Sequence, residues 1–284
     1  MKLEYEDLFR VNLGIFSEEE VGRIRKTRVF IGGCGGVGGV IAIVLTRSGV
    51  ENFVLCDPGK FEPSNVNRQI TCFVDTLGKN KAEVTAKEMR RINPRVRVEI
   101  SDCRLEEVEK RIPEVDVVVP AADDFAWSIM VARMARNHGK HVVVAYPTGM
   151  LGRVTVIPPD QALERLFGLP PSLPYPVLKR LMNSPRLRKM FAKELEFYKK
   201  EGRWREEWFD QFLEMKVSLP QICPMVWATA CLAALEVLKL ATGSFKPVQA
   251  PKHWYITPEG VYIKEFKPPR VTSRLLRMMK IVRG

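Results

Sequence analysis

Short apolar runs and longer amphipathic stretches alternate along the first half of the chain. Val29–Ile31, Val54–Cys56, Val96–Ile100, Val115–Val119 and His141–Ala145 are brief runs rich in β-branched residues, as strands of a parallel sheet require. Val37–Thr46, Gly78–Ile92, Leu105–Arg111 and Phe125–His138 carry helical spacing between them. Pro94 keeps Asn93 out of the α region and ends one helix, and Gly139 follows another. Strands alternating with helices predict an α/β fold with a doubly wound, mostly parallel, Rossmann-like sheet and right-handed crossovers. Arg153–Ile157 reads as an antiparallel extension of that sheet.

The pattern predicts one domain, residues 1–284, built from successive stretches. Residues 1–27 form an N-terminal arm: Ser17-Glu-Glu-Glu20 is a capping box that opens a short helix. Residues 28–157 are the nucleotide-binding core. The character changes at Pro158-Pro159, and 158–222 reads as a helical basic insertion with two or three helices. From Lys179 to Arg205 it holds ten Lys or Arg against three Glu, interleaved with Phe191, Phe197, Tyr198 and Trp204 and followed by Trp208 and Phe212. Such a segment could grip nucleic acid through phosphates and stacking. The plainer expectation is one packed aromatic face with its charges in solvent. Residues 223–284 supply an apolar core helix (Met225–Leu240), a β-hairpin extension (Trp254–Lys264) and a basic amphipathic tail (Ser273–Arg283).

Charge and cysteine content narrow this only a little. A net charge of +12 favours an anionic partner such as a nucleotide, tRNA, an acidic protein or a membrane surface. A solvated Lys, Arg and Glu-rich surface accounts for the same number. The start is polar and acidic, and the apolar run Ile31–Leu45 is glycine-broken between Arg28 and Arg47, so no membrane association is expected. The six cysteines are scattered without a C-x-x-C pair. They predict reduced, mostly buried thiols in a cytoplasmic protein and no structural zinc.

The candidate chemistry sits at the carboxyl ends of the predicted strands. Gly33-Cys-Gly-Gly-Val-Gly38 has G-x-G-x-x-G spacing between a strand and a helix. Gly33, Gly35, Gly36 and Gly38 allow a tight turn, close approach of phosphate and close helix packing, and the helix N-terminus attracts an anion. Asp57 ends the next strand, at the position of a ribose-binding carboxylate. Asn65, Arg68 and Gln69 follow in the next loop, Lys81 opens a helix, and Asp123 follows a strand. Two cations facing a glycine turn suit a triphosphate, and an acid opposite them suits magnesium. Each residue also has a plainer role: Asp57 as a loop cap, Lys81 as a surface charge, Asp123 or Asp124 as an N-cap.

Taken together, Gly33–Gly38, Asp57, Ser64-Asn-Val-Asn-Arg-Gln69, Gly78-Lys-Asn-Lys81, Ile92-Asn-Pro94 and Asp123 resemble the ThiF/MoeB/HesA family, adenylating relatives of ubiquitin-activating enzymes. The resemblance implies ATP and Mg2+ as cofactors and adenylation of a carboxylate with release of pyrophosphate. The substrate would be the C-terminal glycine of a ubiquitin-like or sulfur-carrier protein, or a small carboxylate. It implies that Asp57 holds the ribose, that Asn65, Arg68, Gln69 and Lys81 hold the phosphates, and that Asp123 binds the metal. It also implies a homodimer in which Arg10 reaches the partner's site. Departures are equally visible. Gly59 stands where many members carry a second acid, and Cys223 lies just beyond the segment where thioester-forming members place their cysteine. Alternatives are a tRNA-modifying dehydratase of the same superfamily, an NAD-dependent oxidoreductase, and a non-catalytic nucleotide-binding module.

Overall fold

A computed structural model describes residues 4–190 and 192–266. The tail helix expected over 273–283, and Phe191, lie outside the described residues. One sheet has the strand order β3-β2-β1-β4-β5-β6-β7-β8. β1 (Arg28–Gly32), β2 (Asn52–Cys56), β3 (Arg97–Ile100), β4 (Val117–Pro120) and β5 (His141–Ala145) run parallel. Polarity reverses at β6 (Gly152–Ile157), and β7 (Lys252–Thr257) and β8 (Gly260–Glu265) continue antiparallel. β1, β2 and β4 are almost wholly apolar because both faces of the parallel half are covered.

α1 (Tyr5–Phe9) and α2 (Glu18–Lys26) precede β1. α2 has the expected reciprocal cap, in which Ser17 Oγ accepts from the Glu20 N–H and the Glu20 carboxylate accepts from the Ser17 N–H. α3 (Gly38–Arg47) and α4 (Lys81–Ile92) cover one face of the sheet, and α5 (Leu105–Arg111) and α6 (Phe125–Asn137) cover the other. α4 starts three residues later than its apolar pattern suggests. Gly78 is left-handed at φ +78°, and the Asn80 side chain accepts from the Glu83 N–H, so Lys81 is the first helical residue.

Among the described residues the insertion shows four α-helices rather than two or three: α7 (Tyr175–Met182), α8 (Pro185–Met190), α9 (Ala192–Glu201) and α10 (Glu206–Leu213). Trp204, Phe209 and Phe212 turn inward, whereas Phe197 and Trp208 are exposed. Trp204 packs edge-on to Phe212 at 5.1 Å, Phe209 joins them, and Lys199 and Arg188 lie over the Phe209 and Phe212 rings. Lys189, Lys199 and Arg203 pair with Glu214, Glu206 and Glu259. The three inward rings are spent on packing, as the plainer expectation held.

α11 (Cys223–Thr242) is long and apolar enough to cross a membrane, yet more than half of it is buried against α2, α3 and the sheet. Its one buried acid, Glu236, is fully enclosed. The carboxylate accepts from the Val248 N–H (2.8 Å), Trp254 Nε1 (2.7 Å) and Lys239 Nζ (2.6 Å), which ties the helix to β7 and its lead-in. The outer stripe of α11, formed by Trp227, Cys231 and Leu235 at four-residue spacing, is exposed.

Candidate active site

A cleft of about 370 Å³ opens at the carboxyl ends of the parallel strands, where strand order reverses between β1 and β4. Its floor is the glycine turn. Gly33 is left-handed at φ +98°, and a Cβ there would stand 2.6 Å from the Ala121 carbonyl. A Cβ on Gly38 would stand 1.8 Å from the Gly33 carbonyl, so only glycine lets α3 close onto the turn. Gly38 therefore shapes the floor without lining it, whereas Gly33, Gly35 and Gly36 line it.

Asp57 braces this floor. Its carboxylate accepts from the Cys34 N–H (2.7 Å) and from the Gly59 N–H (2.7 Å). The loop-cap role and a place in the cleft thus coexist, since each oxygen keeps a second lone pair. Cys34 is fully buried, and burial together with the nearby Asp57 charge pushes its thiol well above the ordinary range, so it is no nucleophile.

Arg68 and Lys81 meet at the cleft from different elements. Arg68 Nη1 donates to the Ser64 carbonyl (2.9 Å) and to Asn67 Oδ1 (2.8 Å), and its own carbonyl accepts from Trp227 Nε1 (2.8 Å). Lys81 is delivered by the capped start of α4, where Asn80 also donates to the Asp57 carbonyl. The aliphatic stem of Lys81 runs 3.6 Å from where a Gly59 Cβ would sit, and that Cβ would be 3.0 Å from Asp57 Oδ1. Glycine at 59 thus avoids crowding the Asp57 carboxylate, while the lysine stem lies at ordinary contact distance. Among the described residues neither cation has an acidic partner. Gln69 is buried, and its Oε1 has no hydrogen-bond partner there.

Of the two acids after β4, Asp124 is the N-cap, accepting from the Trp127 N–H (3.0 Å). Asp123 is exposed at the cleft rim, with no hydrogen-bond partner among the described residues. Asn65 is not in the cleft. It is buried in its own loop, where Oδ1 accepts from the Glu62 N–H. Arg10 is exposed beside the far end of α3, because Tyr5 and Asn12 bind the Gly49 and Ser48 carbonyls there. The ten residues of α3 put roughly 15 Å between that end and the glycine turn.

Three contributors were not foreseen from the sequence. Trp127 lines the cleft with its Nε1 donating to the Cys103 carbonyl (2.8 Å). Gln221 arrives from the end of the insertion; its carbonyl accepts from Asn67 Nδ2, and its Nε2 donates to the Pro147 carbonyl. The third is a correction. Cys56 and Cys103, expected as free thiols, form a disulfide with 5.5 Å between their Cα atoms, and both line the cleft. The parallel pairing of β2 with β3 brings their ends together. Nor are the remaining thiols all buried: Cys34 and Cys72 are, Cys223 is half-buried and Cys231 is exposed.

Comparison with known proteins gives one consistent answer. The ThiF family model matches residues 9–274. The SAMP-activating enzyme E1 of Haloferax volcanii is 33% identical over 144 residues, which is 50% of this chain and 53% of that protein. Protein HesA of Leptolyngbya boryana is 25% identical over 82% of this chain and 71% of its own length. The chain thus spans about half the length of the first of these relatives. Among solved structures, Escherichia coli MccB with ATP superposes with a TM-score of 0.63 at 19% identity, covering 89% of this chain and 68% of that one. This last likeness is one of fold.

Proposed function

Since the chain belongs to the ThiF family, we propose that it is an ATP-dependent adenylyltransferase that activates a carboxylate as an acyl-adenylate. One observation carries the reading. Arg68 and Lys81, without acidic partners among the described residues, share a cleft with the glycine turn, the unpartnered Gln69 Oε1 and the unpaired Asp123. A nicotinamide site needs the turn and Asp57 but has no use for both cations. A triphosphate has. A substrate carboxylate oxygen attacks the α-phosphorus, the bond to the bridging oxygen breaks, and pyrophosphate leaves. The attacking group is already ionised at neutral pH, so no general base is needed. Arg68 and Lys81 neutralise the phosphates, Asp57 holds the ribose, and positioning supplies most of the catalysis.

Magnesium fits the donor set in a limited way. Among the described residues no three His, Cys, Asp or Glu side chains cluster as a metal site. Asp123 would supply one protein oxygen, as suits an ion that travels with phosphates and neutralises them. The substrate we favour is the C-terminal glycine carboxylate of a ubiquitin-like or sulfur-carrier protein, with a small carboxylate as the other candidate. The exposed stripe of Trp227, Cys231 and Leu235 supports a homodimer, and we place the enzyme in the cytoplasm.

The test is ATP–pyrophosphate exchange with such carrier proteins. Substrate-dependent exchange lost in Arg68→Ala and Asp123→Ala, with unfolding curves unchanged, is the expected result. Both substitutions spare the fold, because Arg68 Nη1 bonds only within its own loop and Asp123 has no partner among the described residues. Tight NAD binding with no ATP binding would overturn the reading.

A further inference from the structure

We infer that the Cys56–Cys103 pair is a reversible thiol–disulfide site, addressed by small dithiols and disulfides, whose state sets the nucleotide affinity of the cleft. This rests on the cleft being the ATP site. Cys56 ends β2, immediately before Asp57, and Cys103 lies in the loop that follows β3. That loop is otherwise held to the sheet by the Ser101 N–H on the Leu55 carbonyl, and Asp102 bonds only locally, to Arg104. The Cys103 carbonyl receives the Trp127 indole, and the Trp127 ring packs so closely on Gly32 that a Cβ there would stand 2.5 Å away. One covalent bond therefore fixes three pieces of the cleft wall: the residue before Asp57, the 101–104 loop and the Trp127 ring.

Access is one-sided. Cys56 is buried, whereas Cys103 is partly open and faces the cleft. A thiolate of a small dithiol attacks Cys103 Sγ. The S–S bond breaks, and Cys56 leaves as thiolate and takes up a proton. The second thiol then attacks the mixed disulfide and releases Cys103, so the dithiol becomes a disulfide and two electrons and two protons pass to the protein. A small disulfide oxidant reverses the exchange. Reduction leaves the two backbone bonds of Asp57 in place and frees the Cys103 loop, so nucleotide affinity drops without vanishing. A nucleotide seated in the cleft covers Cys103 and so shields it from attack, which slows reduction, and by linkage it also shifts the equilibrium toward the disulfide.

The experiment uses the full chain with Cys231→Ser, which removes an exposed free thiol that does not line the cleft. ATP affinity is measured by calorimetry after oxidation and after dithiothreitol, and thiols are counted by alkylation and mass. We expect ATP to bind about fivefold or more tightly to the oxidised protein, to slow reduction of the pair, and to bind Cys103→Ser as it binds the reduced protein whatever the redox treatment. Tryptophan emission should shift on reduction, and Trp127→Phe should abolish the shift. Equal ATP affinity in both states, or reduction at the same rate with and without ATP, overturns the inference alone. No ATP binding in either state overturns the nucleotide reading and this inference with it.

Discussion

Asp57→Ala separates a residue that holds the fold from one that only holds a ligand. The substitution strips an acceptor from two backbone donors, each at 2.7 Å. Cys34 is fully buried, so its N–H cannot recruit water. Losing a hydrogen bond to a charged acceptor there costs about 1.5–3 kcal/mol. Gly59 is half-buried and its N–H can rehydrate, which adds about 0.5–1 kcal/mol. Urea unfolding without nucleotide should therefore show a loss of about 2–4 kcal/mol in Asp57→Ala. Asp57→Asn should fall between, because its amide oxygen can accept from one N–H while its NH2 faces the other. Nucleotide affinity should fall in both. A stability change within about 0.5 kcal/mol of wild type would refute the bracing argument. A normal ATP affinity in a folded Asp57→Ala would refute the ribose role.

Other outcomes follow from single groups. Glu236→Ala leaves Lys239, Trp254 Nε1 and the Val248 N–H without their buried acceptor. It should cost about 3–5 kcal/mol in urea unfolding with ATP affinity unchanged in the folded fraction. His253 is buried with both ring nitrogens unpartnered, and burial, aided by the Arg153 charge, lowers its pKa from 6.5 to about 3. The unfolded chain takes up a proton that the folded chain refuses. Stability should therefore fall as pH drops from 6.5 toward about 3, by up to roughly 1.4 kcal/mol per pH unit, and stay level above 6.5. Denaturation at a series of pH values should show that slope flattened in His253→Phe.

Where local rules act, the fold was legible in the chain. The strand runs, the Ser17 cap, the stop at Asn93-Pro94 and the apolar helix before Gly243 all appear where short-range sterics place them. The family blocks likewise put Arg68, Gln69, Lys81, Asp57 and Asp123 into one cleft. Within those blocks, motif membership could not separate a lining residue from a supporting one. Asn65 caps its own loop, and Gly38 packs against Gly33. The resemblance had singled out Asp123, and the structure supplies the physical reason, since the start of α6 consumes the Asp124 carboxylate. The rest is long-range geometry. Gln221 comes from the other half of the chain, and Cys103 reaches Cys56 across 47 residues only because β3 pairs with β2. Trp127 reads as one more apolar helix residue until its indole finds the Cys103 carbonyl. In the insertion, composition left two readings open, and the packing of Trp204, Phe209 and Phe212 with Arg188 and Lys199 over the rings favours the plainer one.

The reversal of strand polarity between β5 and β6 divides labour along the chain. Every described residue lining the cleft falls between Gly33 and Trp127, except Gln221. The parallel half thus supplies nearly the whole of the described cleft lining. From the rest of the described chain Gln221 alone reaches that lining, held between Asn67 and the Pro147 carbonyl, although α11 and the insertion pack broadly on the parallel half around it. The insertion is rooted in the core, with Leu178 of α7 in the same buried cluster as Ile129 and Trp127 of α6, so a change in α7 is felt beneath the cleft wall.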